Sequence, residues 1–215
     1  MKKLYQWLLG VFFPPKCVLC RKLLKEEETD LCPFCRISAP YFSKRKSKPQ
    51  FLDSFTAVWY YEDSVRSSLL RFKFGGVRAY GAPYARQIAE KLRKEQTEYD
   101  ILVWIPVSWL RKLRRGYDQV ERIANPLSRE LNLELVCALK KIRHTRPQSR
   151  IRGVEKRKAN VLGAYRVVLP EKVKDKRILL LDDIVTTGVT MAEAARVLKT
   201  AGAKEVHGIS VASKK

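Results

Sequence analysis

Residues 177–202 read RILLLDDIVTTGVTMAEAARVLKTAG, and their reading decides the fold. Residues 178–181 are a short continuous apolar run, as in a strand buried on both faces of a parallel sheet. The run ends in two carboxylates, Asp182 and Asp183, and a hydroxyl-rich turn containing Gly188 follows. Thr190 with Glu193 three residues on reads as a capping box. Ala192, Ala194, Ala195, Val197 and Leu198 continue as a helix that Gly202 closes. A turn with free backbone N–H groups at the positive end of a helix is a seat for a phosphate. Carboxylates repel a bare phosphate, so the ligand must also carry hydroxyls that donate to them. A ribose 5-phosphate does both. Alone, a paired acid at a strand end would be an ordinary helix cap or a solvated loop. A response-regulator pocket places its acids after the first strand of its domain, not near the C-terminus, and no Walker A motif occurs.

The segment LLLDDIVTTGVT resembles the signature of type I phosphoribosyltransferases, which bind phosphoribosyl pyrophosphate (PRPP) with Mg²⁺. On that resemblance Asp182 and Asp183 are the catalytic acids, and they bind PRPP together with Val185, Thr186, Thr187, Gly188, Val189 and Thr190.

Outward from this stretch, the chain of 215 residues has room for one full domain and a small attachment, and its 46% hydrophobic content is that of a globular protein. The net charge of +22 makes polyanions the expected partners. Residues 106–160 hold 15 Lys or Arg against 5 Asp or Glu, a net charge of +10. Residues 4–13, LYQWLLGVFF, are too short to span a bilayer and lack a cleavage site, so no transmembrane segment is expected. One apolar face suits a short helix packed on its own protein, with a membrane-surface or partner contact as the alternative.

Cys17, Cys20, Cys32 and Cys35 form C-x₂-C-x₁₁-C-x₂-C. Two such knuckles aim four thiolates at one point, which is a closed, structural Zn²⁺ site. Two disulfides are the alternative, and nothing in the chain indicates export. Cys137, in LELVCALK, reads as a small buried hydrophobe. The domain reading is a helix and zinc ribbon over 1–42, a basic linker over 43–50 and an α/β domain over 51–215.

Strands are expected over 55–61, 100–107, near Leu135 and over 205–211, and helices over 63–74, 83–95 and 118–131. Residues 108–119, SWLRKLRRGYDQ, read as a loop beyond a strand's carboxyl end, where open α/β sheets bind ligands. Arg111, Arg114 and Arg115 are thereby placed to grip a pyrophosphate. Residues 143–165 read as a long basic loop that touches pyrophosphate or nucleic acid through Arg143, Arg146, Arg150, Lys156, Arg157 and Lys158.

The ribbon, I-P-V…R-R-G-Y-D-Q, R-x-T-x-x-Q…R-x-x-N and DDIVTTGVT, in this order, resemble the ComF family. Its members are competence proteins on a type I phosphoribosyltransferase fold, often with an N-terminal zinc ribbon. Two departures stand out: Asp118 where Asn is usual, and Ser149-Arg150-Ile151 before the Arg/Asn pair. The resemblance implies a mainly parallel doubly wound sheet, structural zinc, and Mg²⁺ with PRPP. It also implies a cytoplasmic role in natural transformation with a DNA translocase. Single-stranded DNA is an expected partner and a homodimer a possible one. If the chain catalyses transfer, a nucleophile attacks the anomeric carbon as pyrophosphate leaves, and the acids stabilise the charge on the ribose. The rival function is a phosphoribosyltransferase of nucleotide metabolism with a small-molecule acceptor.

Overall fold

The computed structural model describes residues 14–44, 47–95, 97–143, 145, 151 and 153–215. The expected helix over 4–13, Arg146 and Arg150 lie outside the described residues.

Five strands, β1 (Ser54–Tyr60), β2 (Ile101–Trp104), β3 (Glu134–Leu135), β6 (Arg177–Val185) and β7 (Glu205–Ser213), form one sheet in the order β1-β7-β6-β2-β3. Every pairing in it is parallel. A separate antiparallel pair joins β4 (Leu139–Lys141) to β5 (Tyr165–Val167). The helices are α1 (Pro33–Ser38), α2 (Asp63–Phe74), α3 (Gly81–Arg93), α4 (Trp109–Arg115), α5 (Gln119–Leu131), α6 (Val154–Val161), α7 (Pro170–Val173) and α8 (Val189–Thr200).

β6 sits in the middle of the sheet, and side-chain alternation splits its residues between two cores. Leu179 and Leu181 pack with Leu69 and Phe72 of α2, Tyr84 and Ile88 of α3, and Ile123 and Leu127 of α5. Ile178 and Leu180 face the other way, among Met191, Ala194 and Leu198 of α8, Val161 and Tyr165. Truncating one of these leucines to alanine costs about 2–5 kcal/mol. The sheet is thus covered on both sides, as the apolar run requires.

The cysteine segment packs on the first of these cores: Val18, Leu19, Leu31 and Cys35 belong to the same buried cluster as Tyr84 and Leu181. Ser68 Oγ donates to Val18 O, Arg71 Nη2 to Leu19 O at 2.5 Å, and Arg86 pairs with Asp30.

Four local expectations change. β6 runs on through Val185, so the acid pair lies within the strand and not at its end, because β7 continues the ladder with Asp182 opposite Ser210. Part of the expected loop after β2 is the helix α4. Within the basic stretch residues 154–161 are helical: α6 lacks an apolar period but its C-terminal carbonyls are capped by Arg143 Nη2, at 2.6 Å from Leu162 O and 3.3 Å from Asn160 O. Cys137 is exposed, since Val136 and Ala138 on either side take the inward positions.

Candidate functional site

Parallel pairing brings the carboxyl ends of β2 and β6 together: Trp104 is opposite Leu181, and Ile105 N donates to Leu181 O at 3.0 Å. Residues 105–108 therefore emerge beside the acid pair, and α4 starts from there. The alternation that divides the leucines also divides the acids. Asp183 continues the Leu181 face toward α2 and α5, and Asp182 the Leu180 face toward the β4–β5 pair.

On the first face Asp183 is buried and fully engaged. Lys73 Nζ lies 2.9 Å from Oδ1, and Gln119 Nε2 donates to Oδ2 at 2.9 Å. Arg115 Nη1 donates in turn to Gln119 Oε1 at 2.6 Å and stacks over Phe74, 4.9 Å from the ring centroid. Asp118 serves as the N-cap of α5, its Oδ1 accepting from Val120 N and Glu121 N and its Oδ2 from Val107 N at 2.9 Å. The carboxylate at this position thus ties the start of α5 to the end of β2 through both oxygens.

On the second face Asp182 Oδ1 accepts from the Asp183 N–H at 2.8 Å, and its Oδ2 has no hydrogen bond among the described residues. Loss of hydration and the adjoining Asp183 charge push Asp182 up to about 8, against the pull of Lys73 and Lys141. Lys141 Nζ donates to Tyr165 Oη at 3.2 Å and sits 5.0 Å from the centre of that ring. Burial, reinforced by Arg111, brings Lys141 down to about 8. Burial and the field of Asp182 hold the Tyr165 phenol neutral. Burial and the neighbouring Arg115 charge lower Arg111, whose Nη2 donates to Thr145 O at 3.2 Å.

The turn after β6 is open to a ligand. The expected capping box is absent: the N-cap of α8 is Gly188, at φ +81°, which has no side chain to cap the helix. Glu193 instead accepts from Gly163 N at 2.8 Å and pairs with Arg196. The N-cap residue thus offers no side-chain acceptor to the first N–H groups of α8. Gly188 is required twice over, by its left-handed backbone and because an added Cβ would lie 2.8 Å from Pro49 Cγ. Val185 and Val189 are buried, whereas Thr186, Thr187 and Thr190 are partly exposed around the turn.

The remaining site residues from the sequence divide. Arg115 joins the acid-pair network through Gln119, Arg111 is bonded to Thr145 O, and Arg114 is exposed on α4. Arg143 caps α6, Arg157 Nε donates to Ile151 O at 2.8 Å, and Lys158 pairs with Glu155 on the surface. Lys156 is exposed. The sequence reading missed Lys73, Lys141 and Tyr165. It also missed Ser108, whose buried Oγ has no partner among the described residues. Gln119 was in view as the last letter of RGYDQ, but without a role. Nothing in a single sequence links Lys73 to an acid 110 positions away.

The four cysteine sulfurs lie within 4.8 Å of one another, and Cys20 Sγ is 3.6 Å from Cys32 Sγ. Sulfurs about 2.3 Å from a tetrahedral zinc lie at nearly this mutual distance, far beyond an S–S bond of about 2.05 Å. No disulfide joins any of the four in the structure, and the ligand set fits zinc. Burial raises the Cys17 thiol, but the N–H groups of Cys20, Cys32 and Leu19 outweigh it and bring it down to about 7.

Compared with known proteins, residues 76–215 match the phosphoribosyl transferase domain. Competence protein F of Haemophilus influenzae is 25% identical, over 91% of this chain and 96% of the relative. Competence protein ComFC of Streptococcus pneumoniae is 30% identical, over 89% of this chain and 79% of the relative. The DNA utilization protein YhgH of Escherichia coli is 28% identical, over 89% and 87%.

Proposed function

The chain belongs to the phosphoribosyl transferase domain family and, within it, to the ComF family; from that premise we propose that it binds PRPP with Mg²⁺ at the end of β6 and works in the handling of DNA taken up by the cell. The observation that carries the PRPP reading is the start of α8, with no side chain at its N-cap, in the turn that follows the acid-bearing end of β6, together with an Asp182 Oδ2 that has no hydrogen bond among the described residues. The 5-phosphate takes N–H groups of residues 187–190, and the ribose hydroxyls donate to Asp182. Lys141 and Arg111 lie on the side where a pyrophosphate carries its charge. The oxygen-rich ligand suits Mg²⁺, which would lend charge neutralisation to the pyrophosphate. Asp183 has another part: held by Lys73 and Gln119, it fixes the strand end and the start of α5. DNA handling is supported by the names of the relatives and by the charge of +22.

Calorimetric titration with PRPP, ribose 5-phosphate and pyrophosphate, each with and without Mg²⁺, tests this. PRPP with Mg²⁺ should bind tightest. No heat with PRPP, or equal affinity for pyrophosphate alone, would remove the ribose-phosphate reading.

A further inference from the structure

The turn that presents Gln119 to Asp183 also walls a cleft of about 650 Å³, whose lining shares with the strand-end site only the helix cap Asp118. Its cations are Arg78, from the 3₁₀ turn Arg78–Tyr80, Lys112 of α4, and Arg122 and Arg129 of α5. Of its two carboxylates, Asp118 is turned inward as a helix cap and Glu121 pairs with Lys112 at 3.1 Å. Among the described residues, Arg78, Arg122 and Arg129 have no carboxylate partner. Three unneutralised guanidiniums around one concavity repel one another and favour an anion.

The walls are set by backbone. A Cβ on Gly81 would collide with the Arg122 carbonyl oxygen, so α3 meets α5 there at close range. Pro126, four residues after Arg122, has no N–H to occupy that carbonyl. Arg78 is also held: its Nη2 is 2.8 Å from the Cβ position of Gly116, and its guanidinium lies 5.1 Å from the centre of the Tyr117 ring.

Arg122 and Arg129 are two helical turns apart on one face, about 10 Å along the axis. That spacing suits a ligand whose charges are spread along a chain better than a single phosphate. The helix of Lys112 presents Trp109, 67% exposed, one turn earlier, which offers a surface for stacking bases. By contrast, the basic 143–158 stretch spends Arg143 and Arg157 on its own carbonyls.

We propose that the Arg78–Lys112–Arg122–Arg129 cleft is a track for the phosphodiester backbone of single-stranded nucleic acid, separate from the strand-end phosphate site. This deepens the DNA-handling reading and rests on it.

The test uses the full zinc-loaded chain and a labelled oligo(dT), with fluorescence anisotropy read across a salt series. Arg122→Glu with Arg129→Glu should weaken binding at least about tenfold, and Arg122→Ala with Arg129→Ala should lower the log–log salt slope by about 1.4. Lys156→Glu with Lys158→Glu should change affinity less than about threefold. A PRPP-induced rise in melting temperature shows that each variant is folded. Saturating pyrophosphate with Mg²⁺ should displace little oligonucleotide. If the α6 variant loses the strand and the α5 variants keep it, the cleft is overturned while DNA handling stands. If the wild type binds no strand at low salt, DNA handling itself fails. If ATP competes as well as an oligonucleotide of equal phosphate content, the cleft is a nucleotide pocket and the track is wrong.

Discussion

The cysteine segment and the acid pair are both sites made of charged or ionisable ligands, but they are assembled in opposite ways. The four sulfurs all come from residues 17–35 and converge within 4.8 Å. The acid pair draws Lys73 from α2, Gln119 from α5, Lys141 and Tyr165 from the β4–β5 pair, and Arg111 from α4. A closed ligand set of one chemical kind has one task, holding structure. A site built from five elements can give two adjacent, identical residues different tasks.

The largest effect expected is on the first region. Because Cys32 and Cys35 belong to the buried cluster that includes Tyr84 and Leu181, the ribbon's loss is felt by the main core. Structural zinc contributes an apparent binding free energy on the order of 10 kcal/mol. Cys32→Ser should abolish stoichiometric zinc, measured by elemental analysis, and lower the melting temperature by roughly 10 °C or more. Zinc titration of the apo wild type should release protons into weak buffer, since Cys20 and Cys35 are held protonated by burial. PRPP affinity well below the melting temperature should survive; its disappearance would mean that the two regions are one functional unit.

This contrast also explains what could be read from the sequence. The ribbon, β6, the turn and α8 are local, and their patterns carried through to the structure. The capping box did not, because Glu193 found Arg196 and Gly163 N within reach, and tertiary partners outcompeted the local motif. The helix α6 was hidden by a stretch with no apolar face, and its cap Arg143 was read as a ligand contact. Asp182 and Asp183 look interchangeable in the sequence. Only the sheet's alternation, with the residues it faces, separates them.

The next effect tests that separation. Asp183→Ala strands Lys73, whose side chain is 17% exposed, and unties Gln119. Removing one partner of a buried pair costs about 3–5 kcal/mol. Denaturant unfolding should show that loss, and Lys73→Met added to Asp183→Ala should recover part of it. Asp182→Asn should cost no stability, because it removes a charge that the fold already disfavours. It should instead weaken PRPP binding by roughly 1.5–3 kcal/mol, the value of a charge-assisted hydrogen bond, or tenfold and more. If both variants lose binding and stability alike, the division of labour between the two faces is wrong.

The smallest effect, and the one that reads the second face most directly, is the pH dependence of PRPP affinity. Asp182 is raised and Lys141 lowered, both to about 8. A carboxyl raised in the folded state binds a proton that the unfolded chain releases near pH 4, so Asp182 makes the apo protein less stable as pH rises from about 4 to 8. Lys141, lowered, costs stability below about pH 8, where it must charge within a dehydrated site, and that cost fades as pH rises through 8 and the amine becomes neutral. PRPP favours both charged forms: its hydroxyls donate to an ionised Asp182, and its pyrophosphate attracts a protonated Lys141. Affinity should therefore climb toward pH 8 by up to about tenfold per unit as Asp182 ionises, then fall as Lys141 deprotonates. The second ionisation of the phosphate lies lower, at about pH 6, and does not produce the falling limb. Calorimetry from neutral to alkaline pH should trace this bell. Asp182→Asn should flatten its rising limb and Lys141→Met its falling limb. A wild-type curve that is flat through pH 8 would show that neither group faces the bound ligand.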